Sequence, residues 1–351
     1  MLPERILTVP GFFAFIMVYK YFPINYNEDK RNVFKNITVG GNHLKTGAVI
    51  TAAGHNSSAN SFSPLLPIGH TTVIRRIITT LKQCGVDPVV VITGRDAKEV
   101  EKHISKLRVI CLRNEEYENS QMFDSIGMGL CYIEDLCDRI LILPPKFPLL
   151  LPETIKKIME CSGKASCPVY EGRRGHPVMI HKDLIQSLLS YRGERGLGGA
   201  LRQEGIDGLI EEIPVDDKGI IEAVESNQDT AMYQALGHHV MRPSVSLSLE
   251  FDEVFFGPEM AQFLMLIEHA GSMQTACRQM NMSYSKGFKL LKNAENQLGY
   301  PLLITQSGGS EGGFSQLTPK AVDLMEKYMA FEKELKGKAE ELLKKYFEEG
   351  L

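Results

Sequence analysis

The sequence predicts an α/β chain: a doubly wound, mainly parallel sheet, followed by a smaller α+β domain. Three observations carry this. Apolar β-type runs alternate with helical segments from Thr46 to about Leu150, the register changes near Val240, and 351 residues exceed one ordinary domain. The predicted organisation is an extension at 1–44, a first domain at 45–238, a linker at 239–254 and a second domain at 255–351.

In the first domain, GAVITAAG (47–54) is an apolar strand ending in a small-residue turn. VIRRIITTLKQCG (73–85) has helical spacing and stops at Gly85. DPVVVITG (87–94) and LRVICLRN (107–114) read as strands, DAKEVEKHI (96–104) and MFDSIGMGLCYI (122–133) as helices. DRILILPPKFPLL (138–150) begins as a strand that Pro144 and Pro145 stop. Ligands of such sheets sit outside the carboxyl ends of the strands. The segments after Ile50, Ile92 and Leu143 therefore border the predicted site.

Composition narrows the function classes. The net charge of −4 gives no overall basic footprint, so any nucleic-acid contact must come from local clustering. Seven cysteines (84, 111, 131, 137, 161, 167, 277) show no CxxC pair, which predicts reduced thiols in a cytoplasmic protein. The apolar run Val9–Val18 is shorter than the roughly 20 residues that span a bilayer, so no membrane contact is expected.

The second domain supplies the clustering. MRPSVSLSLEFDEVFFGP (241–258) carries an alternating strand, and EMAQFLMLIEHAG (259–271) is a helix with apolar residues at 260, 263, 264 and 267. In GSMQTACRQMNMSYSKGFKLLKNAENQLG (271–299), Ser272 caps one helix, Asn281 and Met282 turn, and Ser283 caps the next. Phe288, Leu291 and Ala294 read as core. One Arg, three Lys and one Glu between Ser272 and Thr305 give a local charge of +3. PLLITQSGGSEGGFSQLT (301–318) reads as two short strands around a Gly-rich tip. A helix from Thr318 to Glu349 carries apolar residues at 321, 325, 328, 335, 339, 342 and 346, a stripe that predicts a twofold homodimer. Helix, turn, helix and wing make a winged helix-turn-helix that binds duplex DNA. The predicted contacts are Ser272, Ser283, Tyr284, Ser285, Lys286, Lys289, Lys292, Gly308 and Gly309.

These residues, through SYSKG, GGSEGG and the LT before the long helix, resemble the DNA-binding domain of the molybdate-responsive repressor ModE. That domain belongs to the LysR-type winged-helix class. The likeness runs over about 255–335. In that repressor molybdate-binding domains follow the segment, whereas this sequence ends at Leu351.

The first domain has its own likeness. GAVITAAGHNSSANSFSPLLPIGHTTVIRRII (47–78), VITGRD, RNEEYENSQMFDSIGMGL, PETI, GHPVMI and GERGLGGAL resemble the MobA/MocA-like nucleotidyltransferases, over about 47–236. Members transfer a nucleotide from GTP or CTP to the molybdopterin cofactor or related acceptors. The resemblance implies that Ala52, Ala53 and Gly54 approach the nucleotide, with Asn114 and Lys146 as further ligand contacts. It also implies losses. The family's phosphate-binding Arg and Lys correspond to Ser58 and Ser63, its Met-Gly pair to Ala59-Asn60, and its metal-binding Asp to Lys146. A second acidic site aligns with ESNQDTAMY (225–233), where the key positions hold Ser226 and Gln228 or Asn227 and Asp229, depending on a one-residue gap.

Mg²⁺ needs carboxylate oxygens, and an ammonium in place of a ligand reverses the local charge. No catalytic residue is therefore assigned. The expected function is transcription regulation, with a degenerate transferase fold sensing a nucleotide or molybdopterin-type ligand. The alternative is a bifunctional protein that keeps cytidylyl- or guanylyltransferase activity with Mg²⁺ and CTP or GTP. His55 reads as a loop residue, His176 as a turn residue or pocket wall, and Cys161 and Cys167 as buried side chains.

Overall fold

The computed structural model describes residues 44–54, 63–226, 229, 241, 243–306 and 314–348. The expectations on 1–43, His55, Ser58, Ala59-Asn60, Asn227, Gln228, Gly308 and Gly309 lie outside the described residues.

β1 (Thr46–Ala52) is buried along its whole length, as a central parallel strand covered on both faces must be. A small hairpin of β2 (Pro67–Ile68) and β3 (Thr71–Thr72) leads into α1 (Val73–Gln83), which ends ahead of Gly85 at φ +77°. Then come β4 (Val89–Thr93), α2 (Ala97–Ile104), β5 (Ile110–Arg113), α3 (Met122–Ile133), β6 (Arg139–Leu143) and α4 (Pro152–Glu160). β5 is shorter than expected, because residues 105–107 close a 3₁₀ turn and Arg108 takes a left-handed conformation.

β7 (Ala165–Tyr170), β8 (Arg173–Arg174), β9 (Val178–His181), the short helices α5 (Ile185–Leu189) and α6 (Gly196–Ala200), and β10 (Ile210–Pro214) complete this part. The sheet runs β10-β7-β9-β6-β1-β4-β5. β6, β1, β4 and β5 are mutually parallel, and β10 is parallel to β7. β9 is antiparallel to both its neighbours, so the sheet is mixed where a mainly parallel one is expected. The link from β7 to β9 is too short for a crossover, which forces the return.

Successive strand residues serve opposite layers. Ile50, Val91 and Leu141 join Ile74, Ile78 and Ile155 in one cluster. Val49, Ile92 and Ile142 join Ile126, Leu130 and Ile133 in the other. Gly129 lets α3 lie against β1: an added Cβ would stand 2.4 Å from Val49 Cγ1. In chain order the parallel strands lie 3-2-1-4, so the topology switches direction between β1 and β6. The crevice at that switch is where such sheets bind ligands.

The C-terminal part opens with the hairpin β11 (Leu249–Glu250) and β12 (Val254–Phe256). Next are α7 (Pro258–Ala270), α8 (Met273–Gln279) and α9 (Tyr284–Leu298). β13 (Leu303–Gln306) pairs antiparallel with β14 (Phe314–Leu317), and α10 (Pro319–Leu343) runs into a π-helical turn over 344–348. Ala321, Met325 and Tyr328 of α10 are buried within the chain itself, where the sequence predicts a stripe facing a second copy; the inward stripe ends at Glu332, and Leu342 and Tyr346 are exposed.

The two parts share one apolar cluster and several specific polar contacts. Edge strand β5 is covered from the side: Gln262 Nε2 donates to the Val109 carbonyl at 3.0 Å. Tyr132 Oη donates to Gln279 Oε1 at 2.9 Å, and its ring meets the edge of His269 at 4.5 Å. Arg108 bonds the buried Glu332 at 2.6 Å.

Candidate functional site

The crevice is built from strand ends. Ala52 and Ala53 are buried and Gly54 is exposed, with open space where a Cβ would stand. Gly94, after β4, presses on this turn: a Cβ there would come 2.7 Å from the Ala53 carbonyl oxygen. Ser63, at the expected Lys position, accepts the Leu65 N–H with its hydroxyl at 3.2 Å and closes a turn with its carbonyl to Leu66.

Asn114 sits beneath the rim and is 5 % exposed. Its amide nitrogen donates to Ser120 Oγ at 2.8 Å and Ser125 Oγ at 3.1 Å, and its Oδ1 accepts the Glu116 N–H. These bonds tie the loop after β5 to the first turn of α3. The side chain the resemblance assigns to a ligand is engaged in shaping that loop.

Lys146 follows β6, as expected. Its ammonium bonds Glu225 Oε1 at 2.6 Å, while its carbonyl accepts the Val224 N–H at 2.7 Å. Asp229 Oδ2 accepts the backbone N–H groups of Glu225 and Ser226, both at 2.9 Å, and the Ser226 hydroxyl. Those backbone donors hold the Asp229 carboxyl below its ordinary range. One carboxylate thus pairs with an ammonium and the other caps a turn. Among the described residues no group of three or more His, Cys, Asp or Glu side chains gathers to hold a metal ion.

His176 forms the neighbouring wall. It precedes a cis bond to Pro177, its ring leans on Phe147 at 4.7 Å, and its Nδ1 is buried without a partner among the described residues. Burial pushes its pKa down to about 4, so the ring is neutral near pH 7. Cys161 and Cys167 are buried, and Cys161 Sγ donates to Glu211 at 2.6 Å.

One feature of the outer rim has no sequence signal. Buried Glu101 accepts Thr93 Oγ1 at 2.7 Å and both Nε and Nη2 of Arg113, at 3.1 and 2.6 Å. The bonds to Glu101 raise the Arg113 pKa. The triad stands beside an open depression of about 320 Å³ bordered by Gly94, Asp96, Lys98 and Glu115. Its members come from three elements, and nothing in their spacing announces the pairing.

The C-terminal cluster is assembled as its capping residues predict. Ser272 Oγ accepts the Thr275 N–H at 3.3 Å and Ser283 Oγ the Lys286 N–H at 3.2 Å. Between them Asn281 turns the chain at φ +49°. Tyr284, Ser285, Lys286, Lys289 and Lys292 are all exposed along α9. Lys286 pairs with Glu259, and Lys292 with Glu295 at 2.6 Å, which offsets part of the local positive charge. Phe288 corrects its expected core position: it is 44 % exposed. Gly287 is the buried residue instead, because an added Cβ would meet Cys277 Sγ at 2.6 Å and Phe263 Cζ at 2.8 Å. The inward face of α9 is Gly287, Leu291 and Ala294, one and two turns apart.

Residues 48–208 match the family model of the MobA-like NTP transferase domain. No curated protein matches the chain. Among solved structures, a nucleotidyl transferase from Methanothermobacter thermautotroptrophicus is 23 % identical with a TM-score of 0.48, over 56 % of this chain and 98 % of that one. A Mycobacterium tuberculosis protein in complex with manganese is 18 % identical with a TM-score of 0.45, over 55 % and 98 %. A 4-diphosphocytidyl-2C-methyl-D-erythritol synthase from Anaerococcus prevotii is 14 % identical with a TM-score of 0.46, over 56 % and 99 %. Among the described residues no helix is long and apolar enough to cross a membrane.

Proposed function

We propose that this chain is a DNA-binding transcriptional regulator whose MobA-like NTP transferase domain serves as a ligand sensor. The observation that carries the proposal is α8 and α9, two serine-capped helices joined by a tight turn and followed by the β13–β14 hairpin. The resemblance of residues 255–335 to the DNA-binding domain of the molybdate-responsive repressor supports this reading. A helix of this kind lies in the major groove, with the hairpin as a wing along the backbone. Lys289 and Lys286 contact phosphates in this reading, the latter by exchanging Glu259 for DNA. A second copy pairs through the carboxyl-terminal half of α10 and the turn after it, where Phe331, Leu342, Tyr346 and Phe347 are exposed.

At the sensor, Lys146, which pairs with Glu225, corresponds by the family resemblance to a metal-binding carboxylate. A nucleotide or molybdopterin-type phosphate ester is the ligand class the family resemblance supports. Lys146 attracts its phosphate and Glu225 must give way. The chemistry of transfer lacks the groups that would neutralise a leaving pyrophosphate.

The test is selection from a randomised duplex pool, combined with CTP and GTP titrations and a pyrophosphate-release assay with Mg²⁺. Enriched duplexes whose affinity changes with nucleotide, without turnover, support the proposal. Turnover in the ordinary enzymatic range, about 1–10³ per second, establishes the bifunctional alternative. A pool with no enriched duplex overturns the regulator reading.

A further inference from the structure

The outward surface of α9 is more apolar than a phosphate-contacting helix requires. Tyr284 is 54 % exposed and Phe288 is 44 % exposed. They stand four residues apart, hence on one side of the helix, one turn above the other. Ser285 and Lys289 flank them, both exposed, and the Lys292 ammonium lies 5.8 Å from the centre of the Phe288 ring. The buried face of α9, Gly287, Leu291 and Ala294, lies to one side of this pair, and about half of each ring is left open to solvent. The pair is an apolar strip set among lysines.

In the major groove the only apolar group on a base edge is the thymine 5-methyl. The lysines beside the strip draw a polyanion to it, which favours DNA over an apolar protein partner as its occupant. We propose that Phe288, with Tyr284 beside it, reads thymine methyl groups, so that each half-site contains thymines facing the amino-terminal half of α9. This rests on the DNA-binding reading above and adds which bases are read and by which residues. The ring edge packs on the methyl, and cytosine, which lacks the methyl at the same place, leaves the strip facing water.

The experiment uses the full chain and duplexes selected from a randomised pool. Each thymine in a selected site is replaced by uracil, which removes the methyl and keeps every hydrogen-bonding group. At the contacted positions the wild-type protein should bind the uracil duplex about threefold to fivefold more weakly, the effect of exposing one methyl-sized group. Phe288→Ala should bind thymine and uracil duplexes alike. Phe288→Leu, which keeps an apolar tip, should preserve the preference for thymine. Equal binding of both duplexes by the wild-type protein overturns the inference while leaving DNA binding intact, and so does undiminished discrimination by Phe288→Ala. A change in oligomeric state in Phe288→Ala, with discrimination unaltered, makes the strip a protein interface and overturns it too. Failure of any duplex to be enriched removes this inference together with the reading beneath it. The comparison of thymine and uracil duplexes on the wild-type protein does not depend on how well the variants fold.

Discussion

The crevice at the carboxyl ends of the strands and the junction with the C-terminal helices are built by opposite means. In the crevice the distinctive contact is a half-exposed ion pair, Lys146 with Glu225, surrounded by loops. At the junction the distinctive contacts are covered: Tyr132 to Gln279, Gln262 to the Val109 carbonyl, and Glu332 to Arg108. α3 serves both regions. Its first turn is tied to Asn114 through Ser125, and its last turn carries Tyr132 into the helical part. A half-exposed ion pair is exchangeable at little cost, whereas a covered polar contact is expensive to leave unmade. The crevice contact is therefore the easier of the two to rearrange, and the junction contacts are the harder to break.

The largest expected effect breaks the junction. Tyr132 is 6 % exposed and packs within the cluster that spans both parts. Tyr132→Ala should lower stability by about 3–5 kcal/mol, measured by urea unfolding. Tyr132→Phe keeps the ring but leaves Gln279 Oε1 without its donor, at a cost of about 1–2 kcal/mol. If Tyr132→Ala costs less than 1 kcal/mol, the junction is not a packed interface and the contrast collapses.

The next effect compares one histidine from each region. Burial pushes both His269, at the junction, and His176, at the crevice wall, down to about 4 from 6.5. Between those values the unfolded chain binds protons that the folded chain refuses, so stability rises with pH there. Stability is whole above pH 6.5 and falls as pH drops toward 4, by up to about 3 kcal/mol for each ring. His269→Gln and His176→Gln should each flatten part of this slope in unfolding measured from pH 7 to pH 4. An unchanged slope in either variant would mean that its ring is protonated freely in the fold.

Much of this architecture was legible from pattern. The runs at 47–54, 87–94 and 138–150 announced buried strands because parallel strands show no alternation, and Ser272 and Ser283 announced helix starts because short hydroxyl side chains satisfy the first amides. What stayed hidden has a physical reason in each case. The inward position on α9 went to Phe288 because apolar periodicity scores side chains, and the residue at the closest approach, Gly287, has none. β9 runs antiparallel because of the length of a loop, which the apolar content of VMIH does not encode. The Tyr132–Gln279, Lys146–Glu225 and Arg108–Glu332 contacts join residues 147, 79 and 224 positions apart, and no local pattern reports them. The strand ends that border the expected crevice were legible as apolar runs, but the pairing of Lys146 with Glu225 required the fold.

The smallest expected effect tests the crevice's half of the comparison. Glu225→Gln removes the partner of Lys146 and keeps the size of the side chain. Because both groups are substantially exposed, the change in stability should stay within about 1 kcal/mol. The change in ligand affinity should be in the opposite direction. A phosphate approaching Lys146 must displace the Glu225 carboxylate and also endure its repulsion, and Gln presents neither obstacle. CTP and GTP should therefore bind Glu225→Gln more tightly than the wild-type chain in calorimetry, with the gain shrinking as salt rises because exposed charges are screened. A loss of stability as large as that of Tyr132→Ala would show that the ion pair is a structural clamp like the junction contacts. Weaker nucleotide binding would show that Glu225 contacts the ligand directly, and that the crevice presents a carboxylate to it instead of the Lys146 ammonium.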